Sequence, residues 1–309
     1  MYKVFIDGAH GTTGLRINEY LAGRTDIQVL EIDPEKRKDT EARISMIKKA
    51  DVSMLCLPDQ ASKEIAAAAP LDSVIIDTST AHRTDPAWVY GMPELSAEQR
   101  YRIRSSTRIA NPGCHASGFI LLVRPLIDAG LLDRDELLTC FCVTGYSGGG
   151  KKMIADYEGA DRPAVLDSPG QYALGQAHKH LPEMVCMTGL TNAPCFSPVV
   201  ADFYSGMVMT VPVHAAMLKN GAGMADVKKT LHQRYDAEAL ITVHDAAPDS
   251  GTVYSNPMAG SNGMEMYVTG NEERMLLIAS YDNLGKGASG AAVQNLNIVL
   301  GTEETEGLI

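Results

Sequence analysis

The first third of the chain alternates short apolar runs with helix-like stretches, and that rhythm leaves few folds open. Residues 4–6, 28–32, 52–57, 74–77 and 108–110 read as strands, and residues 14–21, 40–49 and 61–69 as the helices between them. Strands joined through helices run parallel, with the helices packed on the sheet faces. Beyond residue 114 the pattern changes. Residues 137–144, 199–211, 240–243, 263–269 and 275–280 read as longer strands with fewer helices between them. The spacing predicts an α/β fold: a doubly wound parallel-sheet domain, then an α+β domain with a mixed or antiparallel sheet. Residues 287–300 carry Ala292, Leu296, Val299 and Leu300 at helical spacing and are expected to return to the first domain. The expected division is 1–113 with about 286–309 as one domain, and 114–285 as the other.

The glycines that follow the first strand give this architecture a chemical purpose. Gly8-Ala9-His10-Gly11-Thr12-Thr13-Gly14 opens the first helix, where bare backbone can approach a pyrophosphate and the helix N-terminus meets its charge. Gly8, Gly11, Thr12, Thr13 and Gly14 are therefore candidate cofactor-binding residues, although G-x-x-G-x-x-G is not the commoner dinucleotide spacing and also fits a plain turn. The second strand ends near Asp33, followed by Glu35, Lys36, Arg37 and Lys38. An acid there suits the ribose hydroxyl of NAD, and an Arg suits the phosphate of NADP. Three cations on one side favour NADP, with Arg37 the candidate contact, and a solvated charge run is the competing reading.

Composition narrows the partners. A net charge of −11 argues against nucleic acid or an anionic membrane surface. No apolar run approaches the roughly 18 residues of a membrane span, and Arg124 interrupts the longest. The six cysteines show no Cys-x-x-Cys pair, which suits a reducing cytoplasm, and residues 2–6 enter a strand with no signal-peptide pattern.

One cysteine stands apart. Cys114 follows Asn111-Pro112-Gly113 and precedes an apolar helix expected to run through Ala129 with a kink at Pro125. At a helix N-terminus the unpaired N–H groups and the macrodipole favour a thiolate, and a thiolate is a nucleophile. A buried structural cysteine fits the same spacing. His178 and His180, in Gln176-Ala177-His178-Lys179-His180-Leu181-Pro182-Glu183, could supply a proton carrier. Two imidazoles without nearby partners in sequence make a poor metal site, and none is expected. Tyr146-Ser147-Gly148-Gly149-Gly150-Lys151-Lys152 suits an anionic group, with Ser147, Lys151 and His178 as candidate substrate contacts, though a surface loop reads equally well. Asn283-Leu284-Gly285-Lys286-Gly287 precedes the last helix and reads most simply as a connecting turn.

In this order, these motifs resemble the shorter form of the N-acetyl-γ-glutamyl-phosphate reductase family. The resemblance covers essentially the whole chain and adds Ile76-Asp77-Thr78-Ser79 and Tyr90-Gly91-Met92-Pro93-Glu94-Leu95 to the segments above. It implies a nucleotide-binding domain, NADPH as hydride donor, Cys114 as nucleophile and His180, in preference to His178, as acid/base. It further implies that Asn283 and Gly285 lie beside the nicotinamide, that the substrate is a small acyl phosphate of arginine biosynthesis, and that the chain is a homo-oligomer. His115 departs from the more usual Tyr, and Lys179 from the commoner Arg. The implied reaction forms a thioester on Cys114 and reduces it to N-acetylglutamate 5-semialdehyde. Two related acyl-phosphate reductases share these parts, one resembling aspartate-semialdehyde dehydrogenase and one acting on an amino-adipyl phosphate. Rivals of other classes are a Cys–His hydrolase and a nucleotide-sensing protein without turnover.

Overall fold

The computed structural model describes residues 1–309 and divides them into two compact units, Met1–Gly113 with Ala288–Ile309, and Cys114–Gly287. In the first, β1 (Tyr2–Asp7), α1 (Thr12–Leu21), β2 (Ile27–Leu30), α2 (Thr40–Lys49), β3 (Val52–Leu55), α3 (Asp59–Ala68) and β4 (Val74–Asp77) follow the expected alternation. β5 (Val89–Tyr90), α4 (Gln99–Arg104) and β6 (Arg108–Ala110) complete the sheet, in the order β2-β1-β3-β4-β6-β5 with every pair parallel. The strands are apolar because helices cover them: Phe5, Leu55 and Ile75 are buried with Ile47 of α2 and Ile65 of α3. Asp39 starts α2 by accepting the Ala42 N–H at 2.7 Å.

The second unit begins with α5 (Cys114–Asp128), an apolar helix with Pro125 inside it. β7 (Thr139–Gly145), α6 (Gly150–Glu158), β8 (Gly170–Gln171), α7 (Leu181–Thr188), β9 (Cys195–Ala201), β10 (Met207–His214), α8 (Met224–Tyr235), β11 (Ile241–His244), β12 (Met264–Gly270) and β13 (Arg274–Tyr281) follow. Seven strands form one mixed sheet, ordered β11-β12-β13-β10-β7-β9-β8, with α5 and α8 packed against it. The last helix, α9 (Gly290–Leu300), belongs to the first unit and packs with α1 and α4.

One expected strand proves to be two. Residues 199–211 read as continuous, but the chain turns between Ala201 and Met207, placing β9 and β10 on opposite sides of β7. Gly206 makes the turn with φ of +108°, and a Cβ there would strike the Ser255 carbonyl oxygen. The Asn283 side chain then accepts the Gly206 N–H at 2.8 Å. The glycine-rich run 146–152 is likewise less of a loop than expected, since Tyr146–Gly149 forms a 3-10 turn that leads into α6. No helix is long and apolar enough to cross a membrane.

Candidate active site and nucleotide pocket

At the end of β1 the chain turns through Gly8, whose φ is +88° and whose missing Cβ would run into the Cys56 carbonyl oxygen. Gly14 is equally constrained, because a Cβ there would lie 2.5 Å from the Gly8 oxygen. α1 starts at Thr12, with Gly11 before it and no side-chain cap, so its first N–H groups have no competing side-chain acceptor. Beside this turn opens a pocket of about 670 Å³ lined by Gly8, His10, Gly11, Glu31, Arg37, Lys38 and Arg43, among others. Bare backbone, a helix N-terminus and three cations form a donor set suited to the phosphates of a dinucleotide. Two acids line the pocket, Asp7 and Glu31; Asp33, expected from spacing, instead accepts the Glu35 N–H at 3.0 Å.

Two members of this pocket had no sequence signal. Arg43 comes from α2 and lies 3.5 Å from the Asp7 carboxylate. Asp7 is buried, and burial raises its pKa to about 6 against the opposing pull of Arg43. Its Oδ2 has no hydrogen-bond partner.

The chain reaches Cys114 through a segment held by buried polar contacts. Asn111 donates its N–H to the Asp77 carbonyl at 2.8 Å and its side-chain amide to Ala288 O at 2.9 Å. Asn295 donates to Asn111 Oδ1 at 3.1 Å, and Arg83 Nε donates to the Asn111 carbonyl at 2.9 Å. Burial alone would raise the Asp77 pKa; hydrogen bonds from His82, Ser62 and Ser79 outweigh it and keep the carboxyl below its usual range.

Cys114 is the first residue of α5, where an anion is favoured. One imidazole at its sulfur is not a member of the expected pair. His115 Nδ1 lies 3.3 Å from Cys114 Sγ, and His115 Nε2 lies 3.0 Å from the Tyr172 hydroxyl. His180 also joins the cluster: its ligand atom, Sγ and the His115 nitrogen all fall within 4.8 Å of one another. The His115 ring is 5.3 Å from His178, His180 and Phe196 by centroids, and those of His178 and His180 are 4.7 Å apart. His178 is turned to structure, its Nδ1 accepting the His180 N–H at 3.1 Å. Glu183 Oε1 stands 3.9 Å from His180 Nε2.

Burial, with the nearby His178 and Lys179, lowers the His115 pKa to about 3; burial and Lys179 lower that of His178 to about 4. Both rings are therefore neutral near pH 7, when they can offer one lone pair and one N–H. Tyr281 holds the backbone beneath the sulfur. Its hydroxyl donates to Cys114 O at 2.7 Å and accepts the Gly118 N–H at 3.1 Å, bridging the two groups that would close the first turn of α5. A thiol at a helix N-terminus beside neutral imidazoles is an arrangement that can perform acyl transfer.

A family model described as semialdehyde dehydrogenase, NAD binding domain, matches residues 31–102, and one described as semialdehyde dehydrogenase, dimerisation domain, matches residues 114–283. Proteins from Brucella ovis and Brucella canis, each named N-acetyl-γ-glutamyl-phosphate reductase, are 43% identical over 306 residues, covering 97% of this chain and 99% of theirs. The chain belongs to the N-acetyl-γ-glutamyl-phosphate reductase family. Among solved structures, it is similar to aspartate semialdehyde dehydrogenase II from Vibrio cholerae complexed with ASA, with a TM-score of 0.72 and 17% identity over 97% of this chain and 98% of that one. Aspartate semialdehyde dehydrogenase from Francisella tularensis has a TM-score of 0.73 at 13% identity, covering 97% of this chain and 100% of that one. These likenesses concern the fold, a parallel-sheet domain followed by a mixed-sheet domain.

Within this reductase-family chain the remaining expected site residues fall as follows. Gly8, Gly11 and Arg37 line the pocket, and Thr12, Thr13 and Gly14 form the first turn of α1 beside it. Asn283 is buried, donating to Ser147 Oγ at 2.9 Å while accepting from Gly206, so its amide ties three segments of the second unit together. Gly285 is required where the backbone meets the Ser261 carbonyl closely. Ser147 is buried on Asn283, whereas Lys151 is exposed at the start of α6. His115 and Tyr172 are the members of the thiol cluster that spacing did not assign. Tyr172 lies 58 positions beyond Cys114 (172 − 114), in a segment with no periodic pattern to mark it.

Proposed function

We propose that this protein reduces N-acetyl-γ-glutamyl phosphate to N-acetylglutamate 5-semialdehyde and phosphate with NADPH, as a cytoplasmic enzyme of arginine biosynthesis. The observation that carries this reading is the thiol at the first residue of α5, clustered with His115 and His180, in a chain 43% identical to named reductases along nearly its whole length.

Cys114 acts as nucleophile. Its thiolate attacks the γ-acyl carbon, the acyl–oxygen bond breaks, phosphate departs and a thioester remains. His180 takes the thiol proton at the start and returns one to the released sulfur at the end. His115, held by Tyr172, positions the sulfur by directing its Nδ1 at it, and its depressed pKa leaves it a poor base. N–H groups at the start of α5 stabilise the oxyanion. Gly8, Gly11, the first turn of α1, Arg37, Lys38 and Arg43 would hold NADPH, which when bound supplies the hydride that brings the acyl carbon to the aldehyde level. Cys114 then leaves as the thiolate. Ser147, Lys151 and His178 are proposed substrate contacts, and Asn283 and Gly285 are proposed to border the nicotinamide.

The test runs the reaction in reverse: N-acetylglutamate 5-semialdehyde and phosphate should reduce NADP⁺, and Cys114→Ser should lower the rate by at least about 10³-fold while retaining cofactor affinity. Phosphate-independent turnover, full activity in the serine variant, or a preference for aspartate semialdehyde would refute the assignment.

A further inference from the structure

The cluster around Cys114 has the composition of a metal site as well as that of a nucleophile. Cys114, His115 and His180 each offer one ligand atom, and these atoms lie within 4.8 Å of one another. His115 Nδ1 is 3.3 Å from Sγ, close to the roughly 3.5 Å that a sulfur and a nitrogen subtend on a tetrahedral zinc with bonds near 2.3 and 2.0 Å. The far nitrogen of His115 meets the Tyr172 hydroxyl at 3.0 Å, the outer contact that orients a ligating imidazole. Glu183 Oε1 stands 3.9 Å from His180 Nε2, an ion-pair separation rather than a hydrogen bond. One thiolate and two imidazoles favour a borderline or soft cation over magnesium or calcium.

We propose that Cys114, His115 and His180 form an inhibitory site for Zn²⁺, bound through one sulfur and two nitrogens with a fourth position open to water. Binding exchanges the thiol proton, released to buffer, for a sulfur–metal bond, and no electron is transferred. The inhibitory effect rests on the reading of Cys114 as nucleophile; the binding itself does not. A metal-capped sulfur has its reactive lone pair engaged, so the cation competes directly with acylation.

The experiment titrates Co²⁺ into the full chain carrying Cys186→Ser and Cys195→Ser, which removes the exposed thiols. A thiolate-to-cobalt absorption band in the near ultraviolet should grow to one equivalent per chain. It should vanish in Cys114→Ala and weaken at least about tenfold in affinity in each of His115→Phe and His180→Gln, with Zn²⁺ displacing the cobalt. Zn²⁺ should also slow alkylation of Cys114 by iodoacetamide. Absence of the band, its survival in Cys114→Ala, or unchanged affinity in whichever histidine variants retain native circular dichroism would overturn the proposal. Because no readout requires turnover, failure of the metal site and failure of the reductase reading are separately visible.

Discussion

At the level of single residues, the thiol cluster brings together His115 and His180 at one sulfur, a grouping that spacing alone did not disclose. His180 was legible as a candidate because histidines beside a proline turn stand out in the chain. His115 stands out in the sequence only as a departure from the more usual Tyr, yet its Nδ1 lies 3.3 Å from the Cys114 sulfur. If His180 moves the proton and His115 only positions the sulfur, His180→Gln should lower kcat by about 10²–10⁴-fold and change the shape of the pH–rate profile. His115→Phe should cost less, on the order of tenfold, and keep the profile's shape. Asp7 supports a different kind of prediction. Its folded pKa of about 6 is above the usual 3.8, so folding favours the protonated form. The penalty is absent below the unfolded value, develops between these two pH values, and is complete above the higher one. Asp7→Asn should therefore raise stability near neutral pH by on the order of 2 kcal/mol and remove that part of the pH dependence, as measured by urea unfolding between about pH 4 and 7.5.

At the level of elements, the start of α5 is a spliced turn rather than an ordinary helix N-terminus. The Tyr281 hydroxyl from β13 sits between Cys114 O and Gly118 N, and a Cβ on Gly118 would lie 2.6 Å from that hydroxyl. A side chain inserted at this point fixes the helix end to the sheet. Tyr281→Phe should leave two buried backbone groups poorly matched, costing roughly 1–3 kcal/mol in thermal or urea unfolding and slowing alkylation of Cys114. Wild-type stability in that variant would mean the turn closes equally well by itself. This contact also shows where sequence reading ended. Local rules placed β1, α2, β4 and β6 closely, because strand and helix periods and the Asp39 cap are written within a few residues of each element. They merged β9 with β10, because apolar residues continue on both sides of the Asp202–Gly206 turn and only the fold reveals what Gly206 must avoid. The pairing of Tyr281 with Cys114 spans 167 positions, beyond any local pattern.

At the level of the whole molecule, the second unit's sheet leaves several apolar side chains part-exposed on one face. In β10, Met207, Met209, Val211 and Val213 are buried, while Val208 and Pro212 alternate with them on the other side. Register places Val208 beside Val143 of β7, and Pro212 beside Leu276 of β13. Phe141 and Leu276 on this side are 43% and 40% exposed. α5 and α8 cover one face of this sheet, and the other mixes these apolar side chains with Thr210 and His214 of the same strand. The family expectation of a homo-oligomer thus acquires a physical address: we propose that a second copy packs against Phe141, Val208, Pro212 and Leu276. Replacing Phe141 and Leu276 by Glu would set like charges against each other in such a pairing and leave them solvated in a lone chain. Light scattering should then give a mass near 33.2 kDa for the double variant and a multiple of it for the wild type. NADP⁺ binding to the first unit's pocket should persist, since its residues lie outside this sheet. A wild type already at the single-chain mass, or a variant that keeps the larger mass, would move the interface elsewhere or remove it.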